Sequence, residues 1–282
     1  MKKFGLILCV VFGVQTLNGQ VLDIPSNTLD GVYTQSQDNP NRKAIPYVQL
    51  HERDIMWSRR VWRKVDMNEK VNQVFYFPEK PDQGRVSLWF GLFNAILNKG
   101  TVTAYSADND MFNMPLTVND VNEIRVKECE SQVIDPMTGD PQIVSFNDTL
   151  LLGDIKKFAI KEEVFFDKQR SVIEYRLLGL APIGPLKDGG CNIIGEQEMF
   201  WVYFPQIRQE LVNMEVYNTN NDVHKLTYDD VFWKRMFAAE ITKETNVYNR
   251  RLDQYLSPMD QLLKSEEIKQ QIFNYEHDLW TY

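Results

Sequence analysis

The sequence predicts an α+β fold, with an antiparallel sheet of hairpins in the middle, helices towards both ends and an extended N-terminal arm. Three observations predict it. Strand-sized apolar segments between residues 124 and 204 are separated by turn clusters rather than by helical crossovers. The last third carries helix-capping signatures and a helical seam. Residues 20–46 are rich in Asn, Gln, Asp and Ser and hold no sustained period.

The chain opens MKKFGLILCVVFGVQTLNGQ, with Lys2 and Lys3 ahead of an apolar run from Phe4 to Val14 and the small Gly19 before Gln20. This is the layout of a cleaved secretory signal, and the apolar run is too short to span a bilayer. Residues 1–19 are therefore read as a signal peptide, 20–46 as an extended arm and 47–282 as a single α+β domain. Cys9 sits too early, and in the wrong small-residue context, for lipoprotein acylation. Export without a direct membrane anchor is expected.

The stretch WSRRVWRK, Trp57 to Lys64, is the densest in cations and indoles. On a helical wheel Ile55, Trp57, Val61, Trp62 and Val65 share one arc of about 160°. Arg59, Arg60, Arg63 and Lys64 fall opposite, so an amphipathic helix with core indoles and a cationic back is expected. Val231, Trp233, Phe237, Ala238 and Ile241 repeat the pattern 176 residues later, which raises an internal duplication and places Trp233 in the core as well.

Ser87–Asn98 has Leu88, Trp89, Leu92, Phe93, Ile96 and Leu97 at helical spacing, with Gly100 as a stop. Thr101–Tyr105 follows as a strand, and TVND at 117–120 is a capping box opening a short helix. The turn cluster DPMTGDP, 135–141, implies a hairpin. Phe158–Phe166 and Val172–Leu180 are further strands, and Met199–Phe204 is a strand stopped by Pro205. TYDD at 227–230 is a second capping box. At 257–260, SPMD supplies Ser257 as N-cap and Pro258 in the first turn. Ile268, Ile272, Tyr275 and Leu279 then form a helical seam.

The 282 residues carry a net charge of −8, which becomes −10 once Lys2 and Lys3 leave with the signal. So acidic a chain is a poor nucleic-acid binder, because phosphate affinity comes from clustered Lys and Arg. The cationic face of Arg59, Arg60, Arg63 and Lys64 has three readings: a solvated face satisfied by neighbouring acids, a dock for an acidic protein surface, or a membrane-surface contact. The exported portion keeps Cys129 and Cys191, which either pair or remain two small hydrophobes.

Catalytic motifs are absent. His51, His224 and His277 are far apart in sequence, and there is no His-Glu-x-x-His, Cys-x-x-Cys or Gly-x-Ser-x-Gly. Asp108 and Asp110 lack the glycine and terminal glutamate of a calcium loop. Glu162–Glu163 has two readings, an acid/base pair or, far more commonly, adjacent acids on an exposed strand edge. No catalytic residue, metal or cofactor is expected.

IPYVQLHERDIMWSRRVWRKVDMNEKVNQVFYFP, 45–78, resembles the GldN family of gliding-motility proteins of Bacteroidetes, called PorN in non-gliding relatives. FFDKQRSVIEYRLLGLAP, 165–182, MFWVYFPQIR, 199–208, WKRMFAAEITKETNVYNR, 233–250, and SEEIKQQIFNYEHDLWTY, 265–282, look like its other blocks. The resemblance implies a non-enzymatic periplasmic structural component of the type IX secretion and gliding machinery. It further implies a large ring formed with an outer-membrane lipoprotein, GldK or PorK, and contact with the periplasmic part of GldM or PorM. Two rival classes are a periplasmic hydrolase using carboxylates brought together by folding, and a monomeric cargo-binding module.

Overall fold

The computed structural model describes residues 42–279 apart from 83, 135–140, 219–220 and 222–223. The expected signal peptide, most of the expected arm and the tip of the 135–141 turn lie outside the described residues. In chain order the elements begin with β1 (Ile55–Asp66), α1 (Gln73–Tyr76) and α2 (Leu88–Phe93). Next come β2 (Ala104–Ser106), α3 (Val118–Arg125), β3 (Val126–Ile134), β4 (Pro141–Thr149), β5 (Lys157–Asp167) and β6 (Val172–Lys187). β7 (Ile193–Glu198), β8 (Phe200–Tyr203), α4 (Phe204–Leu211), β9 (Glu215–Val216) and β10 (Leu226–Thr227) follow. The last three are α5 (Tyr228–Trp233), β11 (Glu240–Glu244) and α6 (Pro258–Asp278).

The α+β class is the observed one. Seven strands form a sheet ordered β11-β1-β5-β6-β8-β2, with β7 also on β6, and every pairing in it is antiparallel. β3 and β4 make the expected hairpin as a separate two-stranded sheet. The capping signatures act as read. Thr117 and Thr227 form capping boxes with Asp120 and Asp230, and the Ser257 side chain accepts from the amide of Asp260 at the start of α6. Gly100 ends the helical stretch after a π turn at Asn94–Asn98 and takes the left-handed φ of 62° that glycine tolerates.

Two local expectations are overturned. Trp57–Lys64 lies in β1, the second strand of the sheet, and is not a helix. Trp57, Val61 and Val65 recur every four residues, a spacing that fits one face of a strand as well as a helix. Their segment pairs along its whole length with β5, and that long-range ladder decides the outcome. The internal duplication fails with it, because Val231–Trp233 is helical where Ile55–Trp57 is extended. Pro205 does stop β8, but it opens α4 at once, since proline in the first helical turn forfeits no intrahelical bond.

Strand alternation divides the core. On one face, Val65, Phe158, Ile160, Leu177 and Leu180 pack under α2, α4 and α5. On the same face but nearer the β11 edge, Val61, Val164 and Ile241 meet Ile268 and Ile272 of α6. The opposite face carries a smaller cluster of Ala159, Ala181 and Trp201 with Trp62, Tyr105 and Phe112 packed on it. The amide of Ile241 on edge strand β11 donates to Ser265 Oγ of α6 at 2.9 Å, which blocks one point of strand addition.

Candidate interaction surfaces

The four cations of β1 do not form one strip. Alternation sends Arg59 and Arg63 to the helix-covered face and Arg60 and Lys64 to the other. Each has an acid of the same chain: Glu244 at 3.0 Å from Arg59, Glu163 at 3.7 Å from Arg60, Glu162 at 2.9 Å from Arg63 and Glu240 at 3.8 Å from Lys64. This arrangement matches a face satisfied by neighbouring acids. Arg63 is 7% exposed and unavailable to a partner.

Glu162 shares no exposed edge with Glu163. It sits on β5 with no exposed surface, held by Arg63 and by both terminal nitrogens of Arg235 at 2.9 and 3.2 Å. Tyr175 lies against both guanidinium groups, 6.0 Å from Arg63 and 4.4 Å from Arg235. Burial pushes the Tyr175 phenol above its ordinary value although the two arginines oppose this. The centre is a buried ionic knot joining β1, β5 and the segment after α5.

The end of the predicted arm is docked. On β6, whose Val172–Leu177 stretch pairs only with β5 among the described residues, Arg176 donates to the Val48 carbonyl at 3.4 Å. Gln209 donates to the carbonyl of Arg42 at 2.6 Å and accepts from the amide of Ala44 at 3.3 Å. Arg208 grips Asp229 through two bonds of 2.8 and 3.0 Å and donates a third to the Ile45 carbonyl at 2.7 Å. Tyr47 stacks on Trp233 at 5.4 Å, with the guanidiniums of Arg208 and Arg176 at 4.3 and 4.7 Å. Trp233 is thus a 49% exposed clasp rather than core. Trp57 is half-buried, stacked on Tyr275 of α6 at 4.7 Å. A single sequence carries no signal for these stacking partners, because Tyr47 and Trp233 lie 186 residues apart.

Cys129 and Cys191 are joined, their Cα atoms 5.6 Å apart. The link ties the β3–β4 hairpin to the β6–β7 turn, where Glu130 also donates to the Gly189 carbonyl at 3.0 Å and Lys187 pairs with Asp148 at 2.7 Å. Among the described residues these two cysteines and Asp148 are the one convergent set of metal-ligating groups, and their thiols are spent on each other.

A cleft of about 420 Å³ between the sheet and the start of α6 gathers Glu196, Glu198, Glu240 and Asp253. Glu196 takes Lys157 at 2.6 Å, Glu198 pairs with Arg251 and accepts the Trp201 indole at 3.1 Å, and Glu240 lies 3.8 Å from Lys64. These three glutamates are thus each paired with a cation of the same chain.

Exposed apolar side chains are the more informative feature. Met259, Leu262, Leu263 and Phe273 of α6 are 68, 48, 63 and 65% exposed, and Ile193 and Ile194 of β7 are 68 and 65% exposed. No helix among the described residues is long and apolar enough to cross a membrane.

No curated protein matches the chain. A family model, gliding motility associated protein GldN, matches residues 50–281, from just before β1 to beyond α6. That span takes in β1 with its paired cations, the ionic knot, the disulfide-held hairpin and α6, and the chain belongs to the GldN family of gliding motility and type IX secretion components.

Proposed function

We propose that the chain is a non-enzymatic structural subunit working in the periplasm, where it assembles with copies of itself into a ring on an outer-membrane lipoprotein of the GldK/PorK kind. In this reading it also meets the periplasmic part of a GldM/PorM motor component. Its work is adhesion and force transmission, which needs broad interfaces rather than a pocket. The observation that carries the reading is the outward apolar row of α6, Met259, Leu263 and Phe273, on a helix whose opposite side is already anchored by Ile268 and Ile272. A chain of net charge −8 repels its own copies, so apolar contact supplies the attraction that net charge opposes. Membership in a family of motility components supports the same reading.

The test is a double substitution, Leu263→Glu with Phe273→Glu. Both side chains are exposed, so the isolated protein should melt within a few degrees of wild type. Light scattering of the protein with its lipoprotein should show loss of the large assembly. An assembly unaffected by the two glutamates would remove α6 from the interface.

A further inference from the structure

The loop between β2 and α3, residues 107–117, is tied at its far end to β2 by backbone bonds, Ser106 donating to the Met114 carbonyl at 2.9 Å and Leu116 to the Ala104 carbonyl at 2.8 Å, and its near half is held to the sheet by two side chains. Asp110 accepts the Trp62 indole N–H at 2.6 Å and lies 3.4 Å from the Lys161 ammonium, which also donates to the Asp110 carbonyl at 2.6 Å. Phe112 enters a socket walled by Tyr105, Tyr203 and Trp201, its ring centre 5.7, 5.5 and 6.4 Å from theirs. The Lys161 ammonium sits 5.2 Å from the Phe112 ring. The floor is Gly179, where a Cβ would stand 2.5 Å from Phe112 Cζ and 3.1 Å from Trp201 Cε3. The rest of the loop is barely buried, with Met111 and Met114 at 73 and 52% exposure.

Phe112 takes up this place at a φ of 57°, in the left-handed region where a bulky L-residue is strained. The socket thus holds an acid and, two residues later, an aromatic ring whose backbone is strained. The Asp–apolar–aromatic pattern of Asp110–Met111–Phe112 recurs at Asp230–Val231–Phe232 and Asp278–Leu279–Trp280. The first recurrence is consumed inside α5, with Asp230 in a capping box and Phe232 2% exposed. The second leaves the end of α6, where Leu279 is 37% exposed.

The end of α6 packs by Tyr275 on Trp57, whereas the socket opens beside Trp62 on the opposite face of β1. We propose that the socket beneath Phe112 receives Asp278–Leu279–Trp280 of a second copy of the chain, displacing Phe112 and joining successive subunits head to tail. Asp278 would replace Asp110 between Trp62 and Lys161, and Trp280 would replace the Phe112 ring over Gly179. A knob on one surface and a hole on another make a heterologous contact, the kind that propagates into rings. The inference rests on the reading of a self-assembling subunit.

The test is fluorescence anisotropy of a labelled peptide of residues 274–282 with the full mature chain. Phe112→Ala, which vacates the socket, should bind the peptide about tenfold or more tightly than wild type. Asp278→Asn or Trp280→Ala in the peptide should weaken binding by about tenfold, and Lys161→Met in the protein should do the same. If Phe112→Ala melts, Phe112→Leu with a confirmed melting transition replaces it. Absence of binding to the vacated socket, or binding indifferent to Trp280, overturns the inference. Light scattering of the same preparations with the lipoprotein separates the two readings. Assembly without peptide binding removes the socket alone, and binding without any assembly removes the ring subunit.

Discussion

The guanidinium of Arg63 lies 2.9 Å from the carboxylate of Glu162, a side chain with no exposed surface. β1 and β5 are thus joined by charge as well as by their ladder, and Arg235 closes the knot from beyond α5. Taking such charges from water is costly, so the knot depends on every member being present.

Glu162→Gln should therefore cost about 3–5 kcal/mol in urea unfolding, because two guanidiniums lose their counter-charge in a buried site. Replacing Glu162 and Arg63 together by leucine should cost less than the single change. Arg235, whose side chain is 30% exposed, can then turn to water. A double variant less stable than Glu162→Gln would show that the knot's attraction outweighs its desolvation.

Gly179→Ala should destabilise by about 1–3 kcal/mol, since the new methyl group must move an aromatic ring rather than a flexible chain end. The same change should alter tryptophan emission, because Trp62 is bonded to Asp110 on the loop that carries Phe112. Unchanged emission and stability would mean that the loop yields without cost.

The sequence made some of this legible and hid the rest for physical reasons. α6 was readable because Ser257, Pro258 and the Ile268–Ile272 seam are local signals, each settled within a turn or two of helix. The β3–β4 hairpin was readable from its turn cluster, and its strands pair across it. β1 reads as a helix because Arg59 and Arg63 occupy its helix-covered face, where their acids lie on β11 and β5, far along the chain. Polar residues at inward positions erase the period of two that identifies a strand. The Tyr47 clasp and the knot escaped for the same reason: both are meetings of residues with no sequence proximity.

The β3–β4 hairpin should depend on its link to the β6–β7 turn. Cys129→Ser with Cys191→Ser should cost about 2–4 kcal/mol. Hydrogen exchange should quicken mainly at 126–149, since few other bonds hold the hairpin there. Faster exchange throughout the main sheet would instead make the disulfide a support of the whole fold.

Stability should fall in acid. The Arg170 guanidinium holds the Asp167 carboxyl below its ordinary 3.8, as backbone amides do for Asp188. The unfolded chain then binds more protons than the folded one as pH drops through that range. The stabilisation is full above the ordinary aspartate value and is lost as pH falls through the lower, folded one. Urea midpoints between neutral pH and pH 3 should decline, and Asp167→Asn should flatten the slope. A slope unchanged by that substitution would remove Asp167 from the account.

The most direct measurement is purification of the tagged chain from gently solubilised outer membranes, followed by mass determination of the intact particle. The account predicts a large particle holding many copies of the chain and one lipoprotein species in fixed ratio. Recovery as a lone monomer in the soluble periplasmic fraction, with no lipoprotein attached, would contradict it.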